Sequence, residues 1–251
     1  MIKASHLTKT YGPLTALSDV SFEVQTGEIV GFLGANGAGK TTTMRILTGF
    51  YQPTSGQAWV AGHSVTENPA DVKRNIGYLP ETPPLYPEMT VEGYLRFVLE
   101  LKKTAKADRP ELLEWALEKC GLKNRRNSII GNLSKGYRQR VGLAQAVIHK
   151  PPVIILDEPT VGLDPVQIIE IRNLIREFSG GHTVLLSTHI LSEVTAVCQR
   201  AIIVHRGRIA HEQTIKDLSA KKSLEEVFLE VISKDVSFED ESRTSKLSVA
   251  H

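Results

Sequence analysis

The chain has little cysteine, almost no net charge and few aromatic residues. Its two cysteines, Cys120 and Cys198, lie far apart inside segments with helical patterns and have no metal-like spacing. Two such thiols argue against a disulfide framework and indicate a reducing compartment. Thirty Lys and Arg residues against 28 Asp and Glu residues give a net charge of +2. No global field favours nucleic acid or an anionic bilayer, and we expect no nucleic-acid partner.

Long apolar runs are also missing. The longest uninterrupted stretches, such as 153–156 and 201–204, are far shorter than the roughly 20 residues that cross a bilayer. The segment 1–6 lacks the apolar core of a signal peptide. We therefore expect neither a membrane span nor secretion. The length of 251 residues, with 41% apolar and 23% charged residues, is typical of a globular protein with one large domain or two small ones.

What the chain does contain is a set of short apolar runs rich in β-branched residues. Four of them alternate with longer helical patterns: 29–33, 153–157, 183–187 and 201–204. This alternation predicts an α/β fold in which parallel strands are buried on both faces. Segments 2–11 and 20–24 alternate like an antiparallel sheet with one face in water, and 57–61 is expected to join them.

The stretch from 90 to 150 has a helical pattern throughout. Thr90 is predicted to cap a helix over 91–101, and Asp108 with Pro110 to start a helix that ends at Gly121. Pro151-Pro152 is predicted to stop a third helix that holds 139–149. Further on, Asp164 as N-cap and Pro165 predict a helix with five apolar residues on one face, namely Ile168, Ile171, Leu174, Ile175 and Phe178.

A phosphate-binding motif follows the first buried strand. The segment Gly34-Ala35-Asn36-Gly37-Ala38-Gly39-Lys40-Thr41 fits the P-loop pattern G-x-x-x-x-G-K-[ST]. Its glycines let backbone N–H groups curl around phosphate oxygens, and the next helix offers its positive N-terminus. Lys40 can bridge the terminal phosphates, and Thr41 can place its hydroxyl on Mg²⁺. The predicted nucleotide-binding residues here are Gly34, Asn36, Gly37, Ala38, Gly39, Lys40, Thr41 and Thr42.

Two acids end the strand over 153–157. In a P-loop protein a carboxylate at this place is the natural anchor for Mg²⁺, and we assign this role to Asp157. Glu158 then lies where an attacking water must be polarised, which makes it the candidate general base. Without the P-loop, the same two acids would be equally consistent with the start of a solvated loop.

At this point the sequence resembles the ATP-binding subunits of ABC transporters over about 2–230. Leu133-Ser134-Lys135-Gly136-Tyr137 resembles the family signature, usually LSGGQ, which generic P-loop enzymes lack. The segment 160–165, with Gly162-Leu163-Asp164-Pro165, resembles the D-loop, and His189 resembles the switch histidine. Tyr11 matches the aromatic residue that stacks on adenine, although it is also consistent with ordinary packing.

The resemblance implies a P-loop NTPase core with a mostly parallel sheet, an N-terminal antiparallel β subdomain and an inserted α-helical subdomain. The implied division is 1–89 and 151–205 for the ATP-binding core, 90–150 for the helical signature subdomain, and 206–251 for a C-terminal strand-helix extension. In that extension 224–231 is amphipathic, and the part from Lys234 onward is expected to fray.

The resemblance also implies ATP and Mg²⁺ as ligands and a second copy of the chain, or a paralogous ATPase subunit, as partner. Two chains would clasp head to tail, so that Ser134 and Gly136 meet ATP held on the other chain's P-loop. His189 would contact the γ-phosphate. Asp164 would communicate across the interface, although it is independently a good helix N-cap.

Two departures from the family pattern stand out. Lys135 and Tyr137 replace Gly and Gln in the signature, which keeps the Ser and Gly that carry the phosphate contacts. Glu81 stands where the family usually has a Gln that approaches the metal. A Glu has similar length and keeps an oxygen ligand, but adds negative charge. We predict that Glu81 joins Thr41 and Asp157 as a metal-proximal ligand.

Together with the tail 224–231, these departures make the chain resemble ATP-binding subunits of bacterial exporter-type systems, in which a separate polytopic permease selects the substrate. The segment 82–89, with Tyr86, would receive the permease, which would place the chain at the cytoplasmic face of the cell membrane. An importer subunit is the nearest alternative. A soluble ABC ATPase of translation or repair is less consistent with 251 residues, since those chains carry two such domains or long coiled-coil insertions. A GTPase or a small-molecule kinase is a third class, but the chain lacks the guanine motif Asn-Lys-x-Asp, and the signature would be unexplained.

Overall fold

A computed structural model describes residues 1–218 and 223–233 of the chain. Two β-sheets and the helices packed against them form this part. The strands are β1 (Ile2–Tyr11), β2 (Leu14–Val24), β3 (Ile29–Leu33), β4 (Ser55–Val60), β5 (His63–Ser64), β6 (Ile76–Leu79), β7 (Val153–Asp157), β8 (Thr183–Thr188), β9 (Arg200–His205) and β10 (Arg208–Thr214). The α-helices are α1 (Lys40–Leu47), α2 (Pro69–Asn75), α3 (Val91–Leu101), α4 (Arg109–Lys119), α5 (Lys135–Val147), α6 (Pro165–Arg176), α7 (Leu191–Val197) and α8 (224–233).

The first sheet is antiparallel and has the order β2-β1-β4-β5. Ile2 pairs with Val24 on one side and with Val60 on the other, so β1 lies between the two strands that the sequence predicted to accompany it. The prediction of an N-terminal antiparallel sheet is confirmed. Strand β2 begins at Leu14, earlier than the predicted start.

The second sheet has the order β10-β9-β3-β8-β7-β6, in which the pairs from β9 to β6 are parallel and β10 is antiparallel. All four predicted strands are present and confirm the α/β class. Strand β6 was missed, because its four residues include Gly77 and give no periodic pattern. Leu33 pairs with Thr188, and Asp157 pairs with Ser187. The carboxyl ends of β3, β7 and β8 therefore meet at one edge of the sheet.

Each face of this sheet is covered by its own hydrophobic cluster. In β3, Ile29 and Leu33 face the cluster formed mostly by the helices, while Val30 and Phe32 face the cluster formed with the antiparallel sheet and α1. This alternation follows from the two-residue period of a strand. Leu224 and Val227 of α8 are buried in the first cluster. Across 1–218 and 223–233, no helix is both long and apolar enough to span a bilayer.

All three predicted helix starts are present, and a side-chain cap hydrogen bond is found at two of them. Thr90 Oγ1 accepts from the Gly93 amide at 3.1 Å, and Asp164 Oδ1 accepts from the Gln167 amide at 3.0 Å. The helix that Asp108 and Pro110 were predicted to start is present as α4, which begins at Arg109 with Pro110 in its first turn. The Asp108 backbone is already helical and its side chain makes no cap hydrogen bond, since a turn that begins at Ala105 leads into α4.

The prediction of helix throughout 90–150 is wrong in part. Helix α4 ends at Lys119, before Gly121 takes a φ of +64°, and two short 3₁₀ turns, Lys123–Arg125 and Ile130–Asn132, lead to α5. Helix α5 ends at Val147 and does not reach His149. Cys120 and Cys198 lie directly after α4 and α7, not inside them, and both are buried thiols without a disulfide. The predicted frayed tail from Lys234 lies outside the described residues.

Candidate active site

The P-loop connects β3 to α1 and has a backbone that only glycine fits at two positions. Gly39 has a φ of +104°, and a Cβ there would lie 2.6 Å from Leu17 Cδ2 and 2.8 Å from the Ala16 carbonyl oxygen. A Cβ on Gly34 would lie 2.4 Å from the Val204 carbonyl oxygen. Both contacts are closer than real Cβ atoms tolerate, so the loop can approach its neighbours only without side chains.

Lys40 lies across this loop and is 6% exposed. Its Nζ donates to the carbonyl oxygens of Gly34 at 2.8 Å and Ala35 at 3.2 Å, and lies 3.3 Å from Glu158 Oε1. A buried ammonium needs such partners, because burial of an unpaired charge is costly. The side chain is therefore fixed between the loop and the carboxylate that follows β7.

Glu158 is held from both of its ends. Its amide donates to the Ser187 carbonyl oxygen at 2.9 Å, and its Oε2 accepts from His189 Nδ1 at 2.9 Å. Its φ of +49° lies in the left-handed region, which costs a non-glycine residue about 1–3 kcal/mol and persists only where the surroundings enforce it. Lys40, Glu158 and His189 thus form one continuous polar chain.

Asp157 lies below this chain and is 1% exposed. Burial raises its pKa, the nearby hydroxyls of Ser187 and Thr41 oppose the rise, and the carboxylates of Glu158 and Glu81 add to it. Among the described residues, Asp157 Oδ1 has no hydrogen-bond partner. A buried, unpartnered carboxylate oxygen beside further carboxylates and a hydroxyl is the donor set that a hard divalent cation prefers.

A cavity of about 470 Å³ opens above these groups. Of the predicted site residues, those on its lining are Tyr11, Asn36, Gly37, Gly39, Lys40, Thr41, Thr42, Glu81, Glu158 and His189. Tyr11 lies at the rim, 39% exposed, with its ring centroid 6.0 Å from that of Tyr51 and 5.2 Å from Lys9 Nζ. Val161, Leu14 and Ala16 also line the cavity and were not predicted.

Six predicted residues fall outside this lining. Gly34, Ala38 and Asp157 lie in the loop or beneath the cavity, whereas Ser134, Gly136 and Asp164 lie at the start of α5 and α6. Ser134 is exposed, and its Oγ accepts from the Tyr137 amide at 3.4 Å. A Cβ on Gly136 would lie 2.5 Å from the side chain of Gln167, so α5 and α6 touch here. Within the described chain, the signature segment and the P-loop cavity are separate.

Sequence patterns missed the polar contacts that hold the loop after β7. Gln139 Nε2 in α5 donates to the Pro159 carbonyl oxygen at 2.8 Å, and the Thr160 hydroxyl donates to the buried Glu193. Thr160 lies in the segment 160–165 that resembles the D-loop, but no motif above indicates either contact. Gln139 stands between two arginine residues, and Glu193 lies in a short helix, so neither position identifies a partner in the sequence.

The fold and the P-loop site together define an ABC-type ATPase. The family model for ABC transporters matches residues 17–161, more than half of the chain, and the chain belongs to this family.

Among relatives, the chain is 38% identical over 214 residues to the bacitracin transport ATP-binding protein BcrA of Bacillus licheniformis, which covers 84% of this chain and 69% of that protein. A solved ATP-binding subunit of an ABC transporter is 33% identical with a TM-score of 0.84, over 92% of this chain and 99% of that one. The dimeric cassette MJ0796, in a post-hydrolysis state with ADP and Pi, is 26% identical with a TM-score of 0.78, over 86% of this chain and 99% of that one. The chain is therefore an ABC transporter ATP-binding protein with an ATPase domain.

Proposed function

We propose that this ATPase dimerises around two ATP molecules and powers export through a separate membrane permease. The observation that carries the catalytic part is the polar chain of Lys40, Glu158 and His189 at the P-loop cavity. A cation, a candidate base and a histidine meet at the edge of the sheet where a triphosphate on the P-loop would end.

The residues of the P-loop have separate tasks in this proposal. The backbone from Gly34 to Thr42 receives the phosphates, and Lys40 contacts the terminal ones. Tyr11 stacks on the adenine from the cavity rim, which its 39% exposure allows. The lining of the cavity by Tyr11 and the P-loop together supports this orientation of the nucleotide.

Thr41, Asp157 and Glu81 would hold Mg²⁺. When bound, the ion stabilises the charge that develops on the phosphoryl oxygens. The unpartnered oxygen of Asp157 and the raised pKa of this carboxyl fit a cation, since positive charge would relieve both. Among the described residues no three His, Cys, Asp or Glu side chains form a complete metal site. Proteins usually bind Mg²⁺ with one or two carboxylates, and phosphates and waters complete its ligands.

Hydrolysis in this proposal is phosphoryl transfer to water. The water oxygen attacks the γ-phosphorus while the bond from that phosphorus to the bridging oxygen breaks, which releases ADP and phosphate. Glu158 accepts the proton of the attacking water, and His189 holds the γ-phosphate and the Glu158 carboxylate in register. Lys40 stabilises the negative charge on the transferred group.

The second half of each site would come from another chain. Ser134 and Asp164 are exposed, and the signature segment does not line the P-loop cavity of its own chain. The dimeric structure of the related MJ0796 cassette supports pairing of two chains, which we propose to be head to tail. In such a pair Ser134 and Gly136 contact the partner's ATP, and Asp164 links the two sites. A paralogous ATPase subunit is the alternative to a second copy.

A second cavity, of about 490 Å³, would receive the permease. It lies beside the predicted docking segment 82–89, and Tyr86 packs edge-on against Tyr94 and Phe97 with ring centroids 6.0 and 5.6 Å apart. Phe50 on the same lining is 70% exposed, which is unusual for so large an apolar side chain. Docking here would place the chain at the cytoplasmic face of the membrane. Import instead of export remains the alternative direction.

Substitution of the proposed base tests the proposal. Glu158→Gln keeps the shape of the side chain but removes its ability to accept a proton, so ATP hydrolysis should fall at least about 100-fold while ATP still binds. The variant should then accumulate as an ATP-bound dimer in size-exclusion chromatography with ATP and Mg²⁺. Glu111→Gln, at a side chain that is 84% exposed, is the control and should hydrolyse ATP normally. Normal turnover by Glu158→Gln would contradict the assigned role.

A further inference from the structure

Glu193 is a buried acid that the proposed mechanism does not use. It lies in the first turn of α7 and is 1% exposed. Its Oε1 accepts from the Thr160 hydroxyl, and its Oε2 accepts from the Thr188 hydroxyl at 2.7 Å. Arg172 Nη2 of α6 lies 3.9 Å from Oε1. Burial of a carboxylate is unfavourable unless such donors surround it, so these contacts fix its position.

The two threonines flank the two residues at the centre of the cavity. Thr160 follows Glu158 by two residues, and Thr188 directly precedes His189. His189 Nδ1 in turn donates to Glu158 Oε2 at 2.9 Å. The path from Glu158 through Thr160, Glu193 and Thr188 to His189 therefore closes on itself.

We propose that Glu193 is a positioning residue that fixes the distance and orientation of Glu158 relative to His189. This inference rests on the roles proposed above for those two residues. Glu193 does not line the P-loop cavity; it acts by holding the loop after β7 to the end of β8. The Ile190 amide donates to the same Thr188 hydroxyl at 3.1 Å, which fixes the start of α7 on this junction as well.

The left-handed backbone of Glu158 explains why the contacts of Glu193 with Thr160 and Thr188 matter. A residue at a φ of +49° relaxes toward common backbone angles when its surroundings loosen. The loop 158–163 is held on one side by Gln139 and on the other by Glu193. Loss of either contact would let the carboxylate of Glu158 move relative to His189, and a displacement of about 1 Å can lower a rate about 100-fold.

Steady-state kinetics of the purified full chain test the inference. Glu193→Ala should lower kcat for ATP hydrolysis about 10- to 100-fold, while the KM for ATP changes less than about threefold, because the P-loop contacts remain. Glu193→Gln should lower kcat less than Glu193→Ala does, since an amide can still form hydrogen bonds with both threonine hydroxyls. Thr160→Val and Thr188→Val each remove one donor, so both should lower kcat; they also serve if Glu193→Ala does not fold. Thr195→Ala, exposed on the same helix, is the matched control and should keep wild-type kinetics.

Combination with His189→Ala distinguishes a positioning role from a general loss of stability. If Glu193 acts through His189 and Glu158, adding Glu193→Ala to the His189→Ala variant should lower kcat for ATP hydrolysis less than about twofold further. A fully additive loss, or a kcat within twofold of wild type for Glu193→Ala, would overturn the inference. Glu158→Gln in the same assay distinguishes failure of this inference from failure of the proposed function. If Glu158→Gln hydrolyses ATP normally, the assignment of Glu158 as base is wrong. If Glu158→Gln is inactive while Glu193→Ala has normal activity, only the positioning role of Glu193 is wrong.

Discussion

Glu81 brings a third carboxylate to a site that already holds Asp157 and Glu158. It lines the P-loop cavity, and its charge adds to the rise in the pKa of Asp157. Neighbouring carboxylates repel one another unless positive charge lies beside them. Lys40 supplies that charge at Glu158, whereas a bound cation would relieve the repulsion between Asp157 and Glu81. At the scale of single residues, Glu81 therefore should increase the affinity of the site for a divalent cation beyond that of an uncharged side chain.

Substitution of Glu81 tests this expectation. Glu81→Gln keeps the length and one oxygen but loses the charge, so the Mg²⁺ concentration for half-maximal ATPase activity should rise about three- to tenfold; Glu81→Ala should raise it further. The activity is measured against free Mg²⁺ at saturating ATP. Glu88→Ala, at an exposed acid of the segment 82–89, is the control. An unchanged Mg²⁺ dependence in both Glu81 variants would show that this carboxylate is not near the metal.

The site residues differ in how far the sequence could predict them. The P-loop lies in a contiguous motif, so its residue types and their place after β3 could be predicted together. Glu193 could not, because its partner Thr160 lies 33 residues earlier in the chain, and the pairing of β7 with β8 brings it to Thr188 and Glu193. Contacts set by the packing of distant elements leave no local pattern to recognise.

At the scale of elements, β6 and α5 are packed closely enough to exclude a methyl group. A Cβ on Gly77 of β6 would lie 2.0 Å from the Ala146 carbonyl oxygen in α5 and 3.1 Å from Pro151 Cγ. The same four-residue strand was missed in the sequence because this glycine interrupts its apolar pattern. Gly77 thus weakens the strand pattern in the sequence and also lets α5 approach the sheet.

Gly77→Ala should therefore destabilise the fold. The added methyl group must push β6 and α5 apart, at a cost of about 1–3 kcal/mol in the free energy of unfolding. Gly181→Ala is the control, since a Cβ there has only one neighbour, at 3.9 Å, and the backbone is not left-handed. Urea unfolding followed by circular dichroism measures both. Equal stability of the two variants would mean that the β6–α5 contact relaxes at no cost.

At the scale of the whole molecule, the nucleotide site and the proposed permease site lie in two different cavities. The first is lined by the P-loop and Tyr11, the second by aromatic side chains together with Lys102. Lys102 Nζ donates to the carbonyl oxygens of Lys73 and Ile76, each at 2.8 Å, and burial lowers its pKa to about 8. This lysine therefore joins the end of α2 to α3 along one wall of the groove.

Recovery of a partner from native membranes tests the second cavity. The tagged chain, purified in mild detergent, should bring down a polytopic membrane protein, and Phe50→Asp should reduce its recovery about tenfold or more, because the charge would be buried in the interface. Leu229→Asp changes an apolar residue of similar exposure, 59%, on α8 and should leave recovery unchanged. Absence of a membrane partner, or equal recovery in both variants, would favour a soluble ABC ATPase.

The order of strands has a consequence for how the protein is made. Strand β3, which carries the P-loop, lies between β8 (Thr183–Thr188) and β9 (Arg200–His205), both far later in the chain than β3 (Ile29–Leu33). A ribosome that has released only 1–161 has delivered the P-loop, the signature and both strand-end acids, yet neither neighbour of β3. The nascent chain must therefore keep two open edges of an apolar strand from aggregation until 205 or so residues have emerged. Synthesis of β8 and β9, rather than of the P-loop and the strand-end acids, sets the moment at which the site can form.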